Sequence, residues 1–337
     1  MQRSRPDDFV PPYPAYTSQY PHDQREFVMA QIGVQSPDAG DGEALFGRIM
    51  ELARTPAAGR PQHVERCRHV DRQGYVNQVA LAYWKQAGDM RAFWERTDVR
   101  AWLDEPLAGP AGWWRECVRA PVGSLDANYS IAQATWGSGR HVRQTEEQFH
   151  GYYGSMRDRT PDYLAGRADA EPGQIAYRGD PDSFGRRLRV QASDKLCFIR
   201  GAFGWDQARP EEQEAFMADM YPVYKAGADY LRDNSLETNC ISARLLEHVP
   251  SEDSSFVQSD TIAWFLTLKD LERWTHHHRT HAAIYGGVFK LMNRFEYRMR
   301  LNLGHEVAVV PQGQAVLEYA NCHPRTGFLP FFASVPV

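Results

Sequence analysis

Apolar and polar positions along the chain follow an order of elements that occurs twice. Residues 27–34 form an apolar run of strand length, and after the turn signals of residues 36–42 the apolar positions of residues 44–53 recur at helical spacing. Strands are predicted over residues 63–69 and 75–84, a helix from an Asp89 cap to Leu103, and a strand over residues 113–120. The second set begins with a strand over residues 188–205 and a long amphipathic helix over 211–234. Strands over 239–249 and 256–267 follow, then a helix over 269–297 broken at Gly286 and Gly287, then a strand over 299–310.

Each set reads β-α-β-β-α-β, the order of a ferredoxin-like unit. Local sequence supports a duplication. Asp89-Met-Arg-Ala-Phe93 parallels Asp270-Leu-Glu-Arg-Trp274, each opening a helix directly after an apolar strand that holds Trp84 or Trp264. Arg115-Glu-Cys117 parallels His305-Glu-Val307 in the last strand of each copy. The expected organisation is an arm over residues 1–23 and an N-terminal ferredoxin-like domain over 24–123. A connecting, wrapping segment over 124–187 and a C-terminal ferredoxin-like domain over 188–337 complete it. The expected fold class is α+β, duplicated ferredoxin-like, in which the two sheets pack face to face as an α+β barrel and leave a cavity between sheet and helices.

Composition narrows the partners. Of 337 residues, 42% are hydrophobic, enough for one large core or two medium ones. The 38 basic and 43 acidic residues give a net charge of −5, which argues against nucleic acid or an anionic membrane as a main partner. The first residues lack an apolar segment of signal-peptide type, and no stretch approaches the ~20 apolar residues of a spanning helix, so a soluble cytoplasmic protein is expected. Five widely spaced cysteines without a C-x-x-C pair make a disulfide framework or a structural zinc unexpected. The absence of C-x-x-C-H means that any haem is held without a covalent link.

Phosphate-binding glycine loops, the G-x-S-x-G elbow and H-E-x-x-H are all missing, which weakens nucleotide and common hydrolase readings. Histidine carries the signal instead: six of 12 fall between positions 276 and 323. In the last strand Met299, Leu301, Leu303, His305, Val307 and Val309 share one face, so His305 projects from an apolar surface toward the core or a cavity. An imidazole there is either a core residue with a backbone partner or a working group. In the helix before it, His277 and His281 lie at i, i+4 and His278 and His281 at i, i+3, a spacing that suits a solvated face or a metal. A single His ligand beside a large apolar cavity points to haem, and a pair to a small ion. Arg200, at the end of a strand that neighbours the last one in a ferredoxin-like sheet, is placed near His305, with an ion pair as its alternative. Ser242 reads as an ordinary strand hydroxyl, and Arg157 and Arg159 as solvated residues.

Several short motifs in one order resemble the aldoxime dehydratases, particularly the phenylacetaldoxime dehydratase type, over nearly the whole chain from about Phe9. They are Gln31-Ile-Gly-Val-Gln35, Gln73-Gly-Tyr75 with Tyr83-Trp84, Tyr153-Gly-Ser-Met-Arg-Asp-Arg159, Cys197-Phe-Ile-Arg200 with Trp205, and Leu231-Arg-Asp233. Cys240-Ile-Ser242, Leu271-Glu-Arg-Trp274, Thr280-His281, His305-Glu-Val307 and Asn321-Cys-His323 with Thr326-Gly327 complete the set. The resemblance implies a fold similar to the haem-binding dimeric α+β barrels, a homodimer, and a non-covalent ferrous haem b in the C-terminal copy. It implies His281 as proximal iron ligand, His305 as distal acid and base, and Arg159 as distal arginine, with Arg157 the alternative. A family acidic residue corresponds to Asp126, and His276, His277 and His278 fall outside any ligand role. The implied reaction turns an aldoxime into a nitrile and water: iron meets the oxime nitrogen, Arg159 polarises the leaving oxygen, and His305 delivers and recovers the proton. One departure stands out, since the family's distal serine, where present, follows the Ile-Arg pair and this chain has Gly201. A haem peroxidase or chlorite-dismutase-like enzyme, and a non-catalytic haem-binding protein, are the competing readings.

Overall fold

Alternation along one strand shows how the molecule divides. In β2 (Glu26–Ser36), Phe27 and Met29 face one core while Val28, Ala30, Ile32 and Val34 face another, and all six are buried. The computed structural model describes residues 2–107, 109–249 and 258–337. The first two residues of the strand expected from 256 lie outside that description.

The strands in chain order are β1 (Tyr16–Gln19), β2, β3 (His63–Val70), β4 (Val76–Trp84), β5 (Gly112–Pro121), β6 (Leu125–Tyr129) and β7 (Arg143–Glu146). They continue as β8 (Arg187–Val190), β9 (Leu196–Gly204), β10 (Cys240–His248), β11 (Gln258–Phe265), β12 (Asn302–Val310), β13 (Ala315–Ala320) and β14 (Ser334–Pro336). All join one antiparallel sheet in the order β14-β8-β13-β5-β2-β4-β3-β10-β11-β9-β12-β6-β1-β7. The architecture is therefore mixed helix and sheet. The run β5-β2-β4-β3 carries α1 (Ala39–Arg54), α2 (Ala87–Glu95) and α3 (Thr97–Leu103) on its outer face. Between β6 and β8 lie the short α4 (Ser155–Arg159) and α5 (Pro161–Leu164). The run β10-β11-β9-β12 is covered by α6 (Pro210–Ala215), α7 (Tyr221–Asp233), α8 (Ser235–Thr238), α9 (Leu268–His277) and α10 (Arg279–Arg294). The runs meet where β3 pairs with β10, through Arg68 opposite Glu247 and Cys67 opposite His248. Their inner faces share one core, in which Phe27, Met29 and Trp114 meet Phe198, Trp264 and Ala308.

Ions lie inside that core in satisfied groups. Arg200 is fully buried against Asp260 at 2.7 Å and also pairs with Glu65, while Glu306 accepts hydrogen bonds from Tyr83 and Ser138. All five cysteines are free and buried. Among the described residues, no helix is long and apolar enough to cross a membrane.

Several expected elements are placed differently. The strand expected over 188–205 is two, β8 and β9, separated by a turn at Lys195 with φ of 52°; β8 lies near one end of the sheet and β9 within the other run of strands. The helix expected over 211–234 contains a π-helical turn at Phe216–Met220. The helix expected over 269–297 breaks at His278, not at Gly286 and Gly287. His278 is extended there, and its Nδ1 accepts the Thr280 backbone N–H, which starts α10. Gly287 serves packing instead: a Cβ there would stand 2.7 Å from Met220 Sδ. The segment expected to wrap the surface supplies β6 and β7 to the sheet, and the arm supplies β1.

Candidate active site

His305 sits in β12, directly opposite Gly201 of β9 and Asn128 of β6. β6 brings Asp126 to the same face, and Asp126 Oδ2 accepts from His305 Nε2 at 2.8 Å. Arg159, the last residue of α4, grips both oxygens of that carboxylate, with Nε at 2.7 Å and Nη2 at 2.6 Å. Its Nη1 donates to the Phe149 carbonyl and to Ser155 Oγ, and its Nη2 also lies 3.2 Å from His305 Nε2. All five guanidinium N–H groups are thus directed at protein atoms.

Exposure separates the roles these groups can take. The side chains of Asp126 and Arg159 are 1% and 5% exposed, whereas that of His305 is 34% exposed. Of the three, the imidazole presents the most surface to the cavity, which Arg159 also lines and Asp126 does not. Burial opposes a charge on Asp126, but the Arg159 guanidinium and the His305 hydrogen bond overcome it and hold the carboxyl well below its usual range. Burial likewise opposes the charge on Arg159, and Asp126 reverses the effect and raises its pKa. His305 Nε2 faces a donor and an acceptor at once, so either protonation state of that nitrogen has a partner. A group that gives a proton and takes it back needs such a setting.

His281 approaches from the helical side. The break at His278 puts it in the first turn of α10, where the positive end of the helix disfavours an imidazolium. Burial pushes its pKa down to about 4, against the pull of the Thr275 carbonyl. The ring is therefore neutral near pH 7, and its Nδ1 is buried without a formed hydrogen bond. Trp274 packs edge-on against it at 4.9 Å between ring centroids. A neutral imidazole with a free lone pair is what a metal requires.

His281 and His305 line one cavity of about 390 Å³ between the sheet and the helices α7, α9 and α10. Ile199, Phe203, Leu231, Val288, Met292 and Leu303 make much of its wall apolar. Tyr13 of the arm and Tyr152 of the middle segment also reach it, so the chamber is not built by residues 188–337 alone. A larger groove of about 1020 Å³ borders the β3–β10 junction, where polar side chains such as His323 and Asp71 are already paired at 3.0 Å. Cys67, His248 and Asp260 gather possible ligand atoms within 4.8 Å of one another, but Asp260 is neutralised by Arg200. The chemistry is therefore placed in the smaller cavity.

Other residues singled out in the sequence sort themselves by contact. Arg157 is tied to Glu272 and Asp169 and does not line the cavity, which separates it from Arg159. Arg200 does not approach His305: it precedes Gly201, and alternation along β9 sends its side chain to the opposite face. Ser242 borders the large groove. His276, given no ligand role by the resemblance, lines the cavity and contacts Tyr153, while His278 caps α10 and His277 is exposed. His150, which no sequence pattern marked, is buried in the cavity wall with its ring 4.9 Å from that of Tyr13, and burial pushes its pKa down to about 4.

Comparison with known proteins finds relatives that match nearly the whole chain. The phenylacetaldoxime dehydratase of Bacillus sp. (strain OxB-1) is 32% identical over 338 residues, covering 98% of this chain and 95% of that one. The aliphatic aldoxime dehydratase of Rhodococcus erythropolis is 28% identical over 334 residues, covering 98% and 94%. A crystal structure of an aldoxime dehydratase in complex with butyraldoxime superposes with a TM-score of 0.89 at 29% identity, over 99% of this chain and 93% of that one. The family model for haem-containing dehydratases matches residues 30–328, and the chain belongs to that family.

Proposed function

We propose that this protein is an aldoxime dehydratase, converting R–CH=N–OH to R–C≡N and water on a non-covalent haem b. The observation that carries the reading is the pairing, across one apolar cavity, of a neutral imidazole on a helix with an ion-supported imidazole on a strand. The residues fit the cofactor: burial pushes the His281 pKa down to about 4 and so favours the neutral ring, and the wall around it is largely apolar. His281 would hold the iron, with the Thr275 carbonyl close enough to its ring to favour the protonated form and so to help orient the imidazole. When bound and ferrous, the haem supplies the electron density that weakens the N–O bond.

The remaining steps belong to the chain. Asp126 fixes the plane of the His305 ring, and Arg159 keeps Asp126 ionised. The Arg159 Nη2–H that points at His305 is the donor open to redirection toward the substrate oxygen. His305 gives a proton to that oxygen, the N–O bond breaks, and water leaves. The C–H proton passes to His305 as the C≡N bond forms, which restores the starting state. Removing such an acid and base typically costs roughly 10²–10⁴-fold in rate. The apolar wall excludes bulk water that would compete for the proton.

The same reading treats the fold as two ferredoxin-like units, residues 24–123 and 188–337, with an arm over 1–23 and a connecting segment over 124–187. The spatial orders β5-β2-β4-β3 and β12-β9-β11-β10 support it, because each is the 4-1-3-2 order of that motif. A cytoplasmic homodimer is expected from the family and belongs to this proposal.

The test is anaerobic incubation of the dithionite-reduced holoprotein with phenylacetaldoxime and with a linear alkyl aldoxime. Phenylacetonitrile or the alkyl nitrile should appear, and His305→Ala should retain haem while losing at least about 100-fold in rate. No nitrile from either substrate, or an undiminished His305→Ala variant, overturns the assignment.

A further inference from the structure

Glycine inside a strand usually has a packing reason. Gly33, Gly112 and Gly304 have one: a Cβ would stand 2.0 Å from the Trp114 ring, 2.3 Å from the Asn321 carbonyl oxygen and 2.7 Å from the Tyr129 ring, respectively. Gly201 does not. A Cβ there would meet nothing within 4 Å, and its backbone is not among the positive-φ positions. No steric demand keeps a side chain out, so what the glycine provides is the empty space itself.

That space has defined walls. Gly201 pairs with His305 on one side and with Thr261 on the other, so the three lie in a row across β12, β9 and β11. Strands are about 4.8 Å apart, which leaves roughly 10 Å from the His305 strand to the Thr261 strand, with no side chain between. Ile199 and Phe203 bound the gap along β9, and all five residues line the cavity. The backbone there is held in place by Tyr224, whose hydroxyl donates to the Gly201 carbonyl at 2.8 Å.

We infer that Gly201 sets the substrate size limit: the notch beside it receives the group borne by the oxime carbon, favouring aldoximes that are bulky at the neighbouring carbon, such as arylalkyl and α-branched ones. This rests on the dehydratase reading. His305 serves both the N–OH group and the C–H bond, so the substituent on that carbon must lie within a few ångströms of the ring. The next position on the sheet is the notch. Its polar wall atoms are few, the Thr261 and Tyr224 hydroxyls and His305, and the Tyr224 hydroxyl is engaged by the Gly201 carbonyl, which suits a hydrocarbon group.

The experiment compares wild type, Gly201→Ala and Gly201→Val as reduced holoproteins on acetaldoxime and on 2-phenylpropionaldoxime. The ratio of kcat/KM for the bulky over the small substrate should fall at least about tenfold in Gly201→Ala and further in Gly201→Val, the range expected for one methyl group in a pocket. The dissociation constant of 2-phenylpropionaldoxime, from perturbation of the haem absorbance, should rise in step relative to that of acetaldoxime. Melting temperatures at or above wild type are expected, since alanine replaces glycine in open extended backbone. Equal losses on both substrates, or an unchanged ratio, overturn the inference while leaving the dehydratase reading intact. No nitrile from either substrate with wild type overturns that reading, and the inference with it.

Discussion

The ion pair behind His305 is what separates it from an ordinary core histidine. Asp126 and Arg159 are nearly inaccessible, and each neutralises the other. Asp126→Asn leaves the guanidinium buried without its counter-charge and should cost about 3 kcal/mol of stability at pH 7, the order expected for breaking a buried pair. The sign with pH follows from the depressed carboxyl. Its contribution is complete above the ordinary carboxylate value of about 4 and is lost as pH falls below it. The difference in urea midpoint between wild type and variant should therefore shrink on acidification below about pH 4; a gap that persists or widens there refutes the account. On the other side of the cavity, His281→Ala should purify without a Soret band, and full haem content would move the ligand to His150 or His276. His305 was legible because alternation in its strand is strict over six positions. His281 was one of four helix histidines, and only the family resemblance chose it. The cavity role of His150 left no trace in sequence, because its burial depends on the arm folding over it through Tyr13.

At the level of elements, regular apolar patterns were readable and interruptions were not. Most strands of the two repeated units fall close to their expected ranges, because period-2 patterns are local, while the strand expected over 188–205 and the longer helices are each divided. The break between α9 and α10 depends on a side-chain cap at His278, which sequence does not distinguish from its histidine neighbours. β6 was missed because it is a short strand, stabilised by its pairing with β12 and β1 rather than by its own pattern. Close packing of elements gives a sharp test. Gly33 lets β2 lie against the Trp114 ring, whose indole N–H donates to Asn77 at 3.0 Å. Gly33→Ala forces this buried ring from its place and should lower stability by at least about 3 kcal/mol, at the upper end for overpacking. An unchanged denaturation midpoint of the holoprotein would show that β2 and β5 adjust freely.

The whole molecule is held together by the core between the two strand runs and by the buried ions within it. Arg200 comes from β9, while its partners Glu65 and Asp260 come from β3 and β11, so one guanidinium ties both runs. Arg200→Met leaves two carboxylates buried without that charge and should destabilise the fold by about 3–5 kcal/mol. Near-UV and far-UV signals should still lose structure together, because neither inner face can stay covered alone. Separate transitions would mean that the runs fold independently. The arm that supplies Tyr13 and β1 has one more consequence, which concerns the order of synthesis. The cavity wall runs in sequence from Tyr13 to Val307, so a chain emerging from the ribosome holds the first pieces of the chamber long before the last. A chamber complete enough to enclose the cofactor must wait for nearly the whole polypeptide, so haem is taken up at the end of synthesis rather than during it.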